Sequence, residues 1–214
     1  MKTATTLRRL TFFLLPALCL AAELKPVELP PPQTEGGKPL MQALKKRQSS
    51  REFDSAPLAP QVLSNLLWAA AGVNRPDGKR TAPSASNRQE IDIYVATAEG
   101  MYLYDPKDHR LTTVSAEDLR AATATQAFAR EAAVNLVYVA DFAKMGQGPA
   151  ENKVLYSAAD TGFISQNVYL YCASEGLATV VRASVDREAL GAKLGLRPEQ
   201  RIVLAQSVGY PKKK

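Results

Sequence analysis

The chain has 214 residues, 46% of them apolar, which suits one globular domain with a sizeable core. Its net charge of +6 comes without a stripe of interleaved basic and aromatic residues, which argues against a nucleic-acid partner. One histidine and two cysteines leave Ser-His or Cys-His catalysis and histidine-rich metal sites almost nothing to work with, so demanding chemistry has to be brought by a cofactor.

Lys2, Arg8 and Arg9 precede an apolar run, Leu10 to Leu20, that is too short to span a bilayer. Small residues at Cys19 and Ala21 fit a cleavage site, so residues 1–21 read as a signal peptide, with no stable membrane insertion. The expected location is therefore exported, in the periplasm, and the Arg8-Arg9 pair loosely fits a twin-arginine route. Residues 22–38 are rich in proline, lack any helix or strand period, and read as a semi-extended linker ahead of a domain at residues 39–214.

Pro39 to Arg47 has the spacing of a short helix, and Pro60 to Ala71 that of a longer one stopped by Gly72. Glu90 to Ala96 alternates apolar and polar residues as a strand does, and MYLYD and RLTTV flank a turn that contains the lone His109. Ser115 to Arg130 is predicted helical, with Ser115 as N-cap. Val134 to Ala140 reads as a strand covered on both faces. Glu151 to Glu175 carries a long helical pattern, apolar all round, which marks a central helix containing Cys172 as a core residue. Strands at Leu177–Val181 and Ile202–Val208 with a helix at Asp186–Leu194 complete an α+β order with four or five strands.

Two polar stretches lie between these elements. In Lys46 to Phe53, KRQSSREF, guanidiniums flank a pair of hydroxyls, a set that suits a phosphate and a polyol, although a solvated helix end has the same composition. In Arg80 to Asn87, RTAPSASN, small residues allow close backbone approach to a flat ligand, although a plain turn has these residues too.

The order of these pieces, R-x-S-x-R-x-F, then a helix, then P-S-A-x-N before an alternating strand, resembles the nitroreductase family of FMN enzymes. Leu66 to Ala85, LLWAAAGVNRPDGKRTAPSA, is similar to the SagB/ThcOx-type branch. The resemblance implies a three-layer α/β/α fold with a central mixed, mostly antiparallel sheet and a long central helix. It implies that Arg47, Ser49 and Arg51 hold the FMN phosphate and ribityl chain, with Gln48 adding backbone groups. Pro83, Ser84, Ala85 and Asn87 then belong to a loop facing the flavin of a second subunit in a homodimer. Gln126 is placed at the isoalloxazine edge and Ala183 and Ser184 at flavin N5; Asp160 and Asn167 fall near the site. The chain stops early, so Lys212 or Lys213 has to serve as the family's last basic phosphate ligand. Arg182 either stabilises an anionic reduced flavin, binds an acidic substrate or is a structural ion-pair residue, the last preferred. The implied activity is electron transfer from NAD(P)H, or another donor, to a small acceptor such as a nitro compound or quinone. Alternatives are a SagB-like dehydrogenase that oxidises its substrate and an exported, non-catalytic flavin-binding module.

Overall fold

A computed structural model describes residues 25–213; the signal-peptide stretch, residues 1–21, lies outside them. The elements run β1 (Val27–Glu28), α1 (Leu40–Lys46), α2 (Pro60–Ala71), β2 (Ile91–Ala96), β3 (Met101–Asp105), β4 (Arg110–Ser115), α3 (Phe128–Glu131), β5 (Val134–Asp141), α4 (Ala150–Glu175), β6 (Ala178–Arg182), α5 (Arg187–Leu194) and β7 (Gln200–Gly209). The seven strands form one sheet in the order β1-β4-β3-β2-β5-β7-β6. Every described pairing is antiparallel, so the sheet has no parallel member and is larger than the four or five strands expected.

β5 sits between β2 and β7 with all eight residues buried, which is why its sequence is Val-rich instead of alternating. One face carries a core that joins Leu66 and Leu67 of α2 to Leu136 and Tyr138 of β5 and Ile164 and Val168 of α4. The opposite face carries a second core, with Val137 and Val139 of β5 against Leu190 and Leu194 of α5. Helices on both faces give the three layers expected. α2 starts on Pro60, whose missing N–H is one a first helical turn leaves unpaired anyway, and is capped by Gly72.

Three stretches depart from expectation. Residues 25–38 are bound along the domain. Val27 and Glu28 pair with Leu111 and Arg110, and Thr113 Oγ1 donates to the Lys25 carbonyl at 2.9 Å. The prolines offer only acceptors, and α2 supplies the donors: Ser64 Oγ to the Pro30 carbonyl at 2.5 Å and Gln61 Nε2 to the Pro31 carbonyl at 2.9 Å. The stretch is a strap over α2, and the packed unit begins before Pro39.

Ser115 to Arg130 is not one helix. Ser115 ends β4, a 3-10 turn covers Arg120–Thr123, and only Phe128–Glu131 is α-helical. Short polar side chains here bond the nearby backbone instead: Asp118 accepts the Arg120 N–H at 3.1 Å, and Thr123 Oγ1 donates to the Arg120 carbonyl at 2.7 Å.

α4 is central in position but not apolar all round. Its buried stripe runs through Ser157, Asp160, Thr161, Ile164, Ser165, Val168, Tyr169 and Cys172, half of it polar. Its large apolar residues Val154, Leu155 and Phe163 are exposed. No helix among the described residues is long and apolar enough to cross a membrane.

Candidate functional site

After α1 the chain leaves helical geometry at Arg47 and runs along β6. The Ser50 N–H donates to the Thr179 carbonyl at 2.9 Å, and the Asp54 N–H to the Tyr210 carbonyl at 2.9 Å. Tyr169 of α4 supports the segment: its hydroxyl accepts the Val181 N–H at 3.0 Å and shares a 2.8 Å hydrogen bond with Ser49 Oγ. The Arg47 guanidinium carbon lies 5.3 Å from the centroid of the same ring, within cation–π range. Gln48, Ser49 and Arg51 remain exposed and Arg47 is half-buried. A depression of about 430 Å³ walled by Lys45, Lys46, Gln48 and Thr179 adjoins them. The Lys212 N–H donates to the Glu52 carbonyl at 3.3 Å, which puts Lys212, with Lys213 next to it in the chain, beside this segment. Arg47, Arg51 and the lysines outnumber Glu52, the one acid of the segment, and with the serine hydroxyls they suit an anion such as a phosphate.

At the far end of β6 the second predicted group assembles. Ser184 Oγ donates to Gln126 Oε1 at 2.8 Å, and the Thr125 N–H to the Ser184 carbonyl at 3.1 Å. Ala183 is exposed beside them. Gln126 is exposed, but on a bend before α3 and not on a helix. From Thr179 to Ser184 the strand rise gives a span of roughly 16 Å, with cations at one end and an amide–hydroxyl pair at the other.

Arg182 lies under this end, 7% exposed. Its guanidinium donates to the Thr123 carbonyl, to Thr123 Oγ1 at 3.0 Å, to Asn135 Oδ1 at 2.8 Å and to Ser207 Oγ at 3.3 Å. All are uncharged, so the ion-pair reading is corrected: none of the described ion pairs includes Arg182. Burial pushes its pKa down to about 10, and the residue places a positive charge beneath Ala183 and Ser184.

Pro83, Ser84, Ala85 and Asn87 are not with the other two groups. The Ala85 N–H donates to Asp160 Oδ2 at 2.9 Å. Asp160 and Tyr169 are nine residues apart on α4, roughly 13 Å along the helix axis. The loop is thus set away from the Arg47–Arg51 segment of its own chain. Asn167 is half-buried on α4 between these points.

Other groups are accounted for elsewhere. Cys172 is fully buried and burial pushes its thiol pKa well up, as a core residue requires. His109 bonds Ser64 Oγ at 2.8 Å and the Tyr104 hydroxyl at 2.9 Å, far along the sheet from β6. A mainly apolar cavity of about 470 Å³ under the strap, lined by Leu58, Leu63, Tyr102 and Arg130 among others, contains none of the predicted site residues. Tyr169, Thr123 and Asn135 escape the sequence reading, because an aromatic, a threonine and an asparagine within regular elements read as ordinary packing.

The fold is α+β, with a cationic, hydroxyl-bearing segment at one end of β6 and the Gln126–Ser184 pair at the other. The chain belongs to the nitroreductase family, whose model matches residues 44–210. A protein of Methanocaldococcus jannaschii whose name places it among the nitroreductases is 34% identical over 160 residues, covering 70% of this chain and 81% of that protein. A Ralstonia eutropha JMP134 crystal structure, also named for the nitroreductases, is 43% identical with a TM-score of 0.84, covering 88% of this chain and 90% of that one. The NADPH:FMN oxidoreductase of Vibrio harveyi, solved with NAD+, shares the fold at 20% identity and a TM-score of 0.63, covering 81% of this chain and 69% of that one. Family membership makes the chain an oxidoreductase.

Proposed function

We propose that this protein is an FMN-dependent oxidoreductase that takes electrons from NAD(P)H and passes them to a small acceptor such as a nitro compound or a quinone. The observation that carries this reading is the alignment along β6 of a cationic, hydroxyl-rich end with an amide–hydroxyl end. Arg47, Ser49, Arg51 and a C-terminal lysine would hold the phosphate and ribityl chain. Gln126 and Ser184, already bonded at 2.8 Å, would meet the ring edge. Bound FMN would supply two-electron chemistry that no side chain here can perform. The protein's part is to bind and orient it, and to favour a reduced, anionic ring through the charge of Arg182. The Vibrio harveyi neighbour, which is an NADPH:FMN oxidoreductase, supports the cofactor and the donor.

The working form is a homodimer. Leu40 and Met41 of α1 are 62% and 76% exposed, and Leu155 and Phe163 of α4 are 63% and 49% exposed. Large apolar groups exposed on two helices that pack against each other suit a surface for association. A second copy there would also give the 83–87 loop a flavin to face. The protein is exported behind residues 1–21 and acts outside the cytoplasm.

The test is the protein expressed from the whole sequence and recovered from the periplasm, with its N-terminus sequenced. Expected are a start near Ala22, a yellow protein with flavin absorbance, and bleaching by NADH or NADPH followed by recovery on adding a quinone. Protein that stays colourless after incubation with FMN would overturn the cofactor. A flavin that no nicotinamide bleaches would turn the reading to the binding module, and bleaching only by a thiazoline substrate to the SagB-like dehydrogenase.

A further inference from the structure

The 83–89 loop holds the most contorted backbone among the described residues. Ser86, Asn87 and Gln89 take left-handed φ values of 54°, 52° and 49°. Residues other than glycine keep such values only where the surroundings over-determine them. Within the loop, the Gln89 N–H donates to Ser84 Oγ at 2.9 Å. Its anchor to the helix layer is the 2.9 Å bond from the Ala85 N–H to Asp160 Oδ2.

Asp160 is 3% exposed, and Glu90, at the end of the loop, is 0% exposed. Neither Glu90 carboxylate oxygen meets a donor among the described residues, and none of the described ion pairs includes it. The titratable and charged groups facing it are Asp160 of α4, Arg88 of the loop and Arg80 of the preceding segment. Arg80 does not quench it, since its own Nε is buried without an acceptor. A buried carboxylate lacking a donor is costly, and a proton removes the cost. A protonated Glu90 would have an acceptor beside it in the Asp160 carboxylate, which also accepts the Ala85 N–H.

We propose that a protonated Glu90, set against the Asp160 carboxylate that anchors Ala85, latches the 83–89 loop in its strained shape, the two acting as positioning residues for the surface this loop turns towards a flavin. The purpose rests on the flavin reading above; the latch does not. When the proton passes to solvent, two carboxylates are left side by side in a buried place. The Ala85 anchor then weakens and the strained turn relaxes. Burial first, then Asp160, lifts the Glu90 pKa to about 7 against the opposing pull of its own nearby backbone N–H and, more weakly, of Arg88, which puts release in the neutral range.

The experiment is hydrogen exchange on the full chain without added flavin, followed by peptide mass at residues 80–92 from pH 5.5 to 8.5 and corrected for intrinsic rates. Protection of the loop amides should fall about tenfold from pH 6 to 8.5 in the wild type. Glu90→Gln, which donates but cannot ionise, should hold protection flat across that range. An infrared band of a protonated carboxylic acid should be present at pH 6 and missing from the variant. Wild-type protection independent of pH, or the same fall in Glu90→Gln, overturns the latch. Should Glu90→Gln fail to fold, the wild-type infrared titration decides alone: a carboxyl band that does not titrate near neutral pH overturns it. Failure of the flavin reading is separate and shows as no FMN binding at any pH with the exchange pattern intact.

Discussion

The Tyr169 hydroxyl stands 2.8 Å from Ser49 Oγ and 3.0 Å from the Val181 amide nitrogen, so one side chain of α4 sets the distance between the Arg47–Arg51 segment and β6. Removing that oxygen leaves a half-buried amide unpaired and lets the segment drift. Tyr169→Phe should lower stability by about 1 kcal/mol and weaken FMN binding by roughly tenfold. Thermal melting and flavin-fluorescence titration read the two effects. Unchanged FMN affinity would mean that the segment does not hold the cofactor.

Arg182 is the second structural commitment of the site. Replacing it by methionine keeps the bulk but leaves the Thr123 carbonyl without its donor and takes from Asn135 Oδ1 one of its two, the Ser207 hydroxyl being the other. The expected cost is about 3 kcal/mol, read by urea unfolding. Arg182→Lys keeps the charge and should recover part of it. In protein that still binds flavin, the methionine variant should show a more negative midpoint potential, because a cation that favours reduced, anionic flavin is gone. An unchanged potential would reduce Arg182 to a brace between β6 and the 120–123 turn.

Glu90 gives stability a definite pH dependence. Its pKa rises from an ordinary 4.5 to about 7 on folding, chiefly by burial. The folded state therefore favours the protonated form. The stability this gives is complete below about pH 4.5 and is lost as pH climbs through about 7. Glu90→Gln should be more stable than wild type at pH 8 by about 3 kcal/mol and nearly equal to it at pH 4. Chemical denaturation at the two pH values measures the difference.

Residues 25–38 behave as structure. Their carbonyls take donors from Gln61 and Ser64, and β1 covers the edge of β4. A chain shortened to start at Lys38 should lose several kcal/mol as the edge strand and the apolar surface near Tyr102 and Leu111 meet water. It should melt lower and expose Tyr102 fluorescence to quenching. A shortened chain with an unchanged melting temperature would restore the reading of these residues as a tether.

Most of the frame is legible in the sequence because it follows local period. The alternation of Ile91 to Ala96, the unbroken Val134 to Asp141 and the Pro60-to-Gly72 helix each carry their own signal. What is not legible depends on partners far along the chain. Val27 becomes a strand only because Leu111 lies beside it, and the 115–130 stretch loses its helix to side-chain bonds from Asp118 and Thr123. In the site, the arginines and serines of residues 47–51 stand out by composition. Tyr169 and the Thr123–Asn135–Ser207 cradle of Arg182 do not, since each is a common residue within a regular element.

α4 shows the limit of period most clearly, and it carries the last prediction. Its pattern places Asp160 inside and Phe163 outside, the reverse of what their chemistry would choose in a lone domain. The inversion makes sense if the outer face meets a second copy of the chain, with α1 contributing Leu40 and Met41 to the same contact. Such an interface would need on the order of 800 Å² per partner, within reach of two exposed helices. On this proposal the wild type should sediment as a dimer, and Phe163→Glu, which puts a charge where desolvation would occur, as a monomer. Because the residue is exposed, the monomer should keep its fold and its circular dichroism. It should also bind FMN at least tenfold more weakly, since the partner's 83–87 loop would no longer close over the site. A variant that stays dimeric would place the interface elsewhere, and a monomer with full FMN affinity would show that each chain completes its own site.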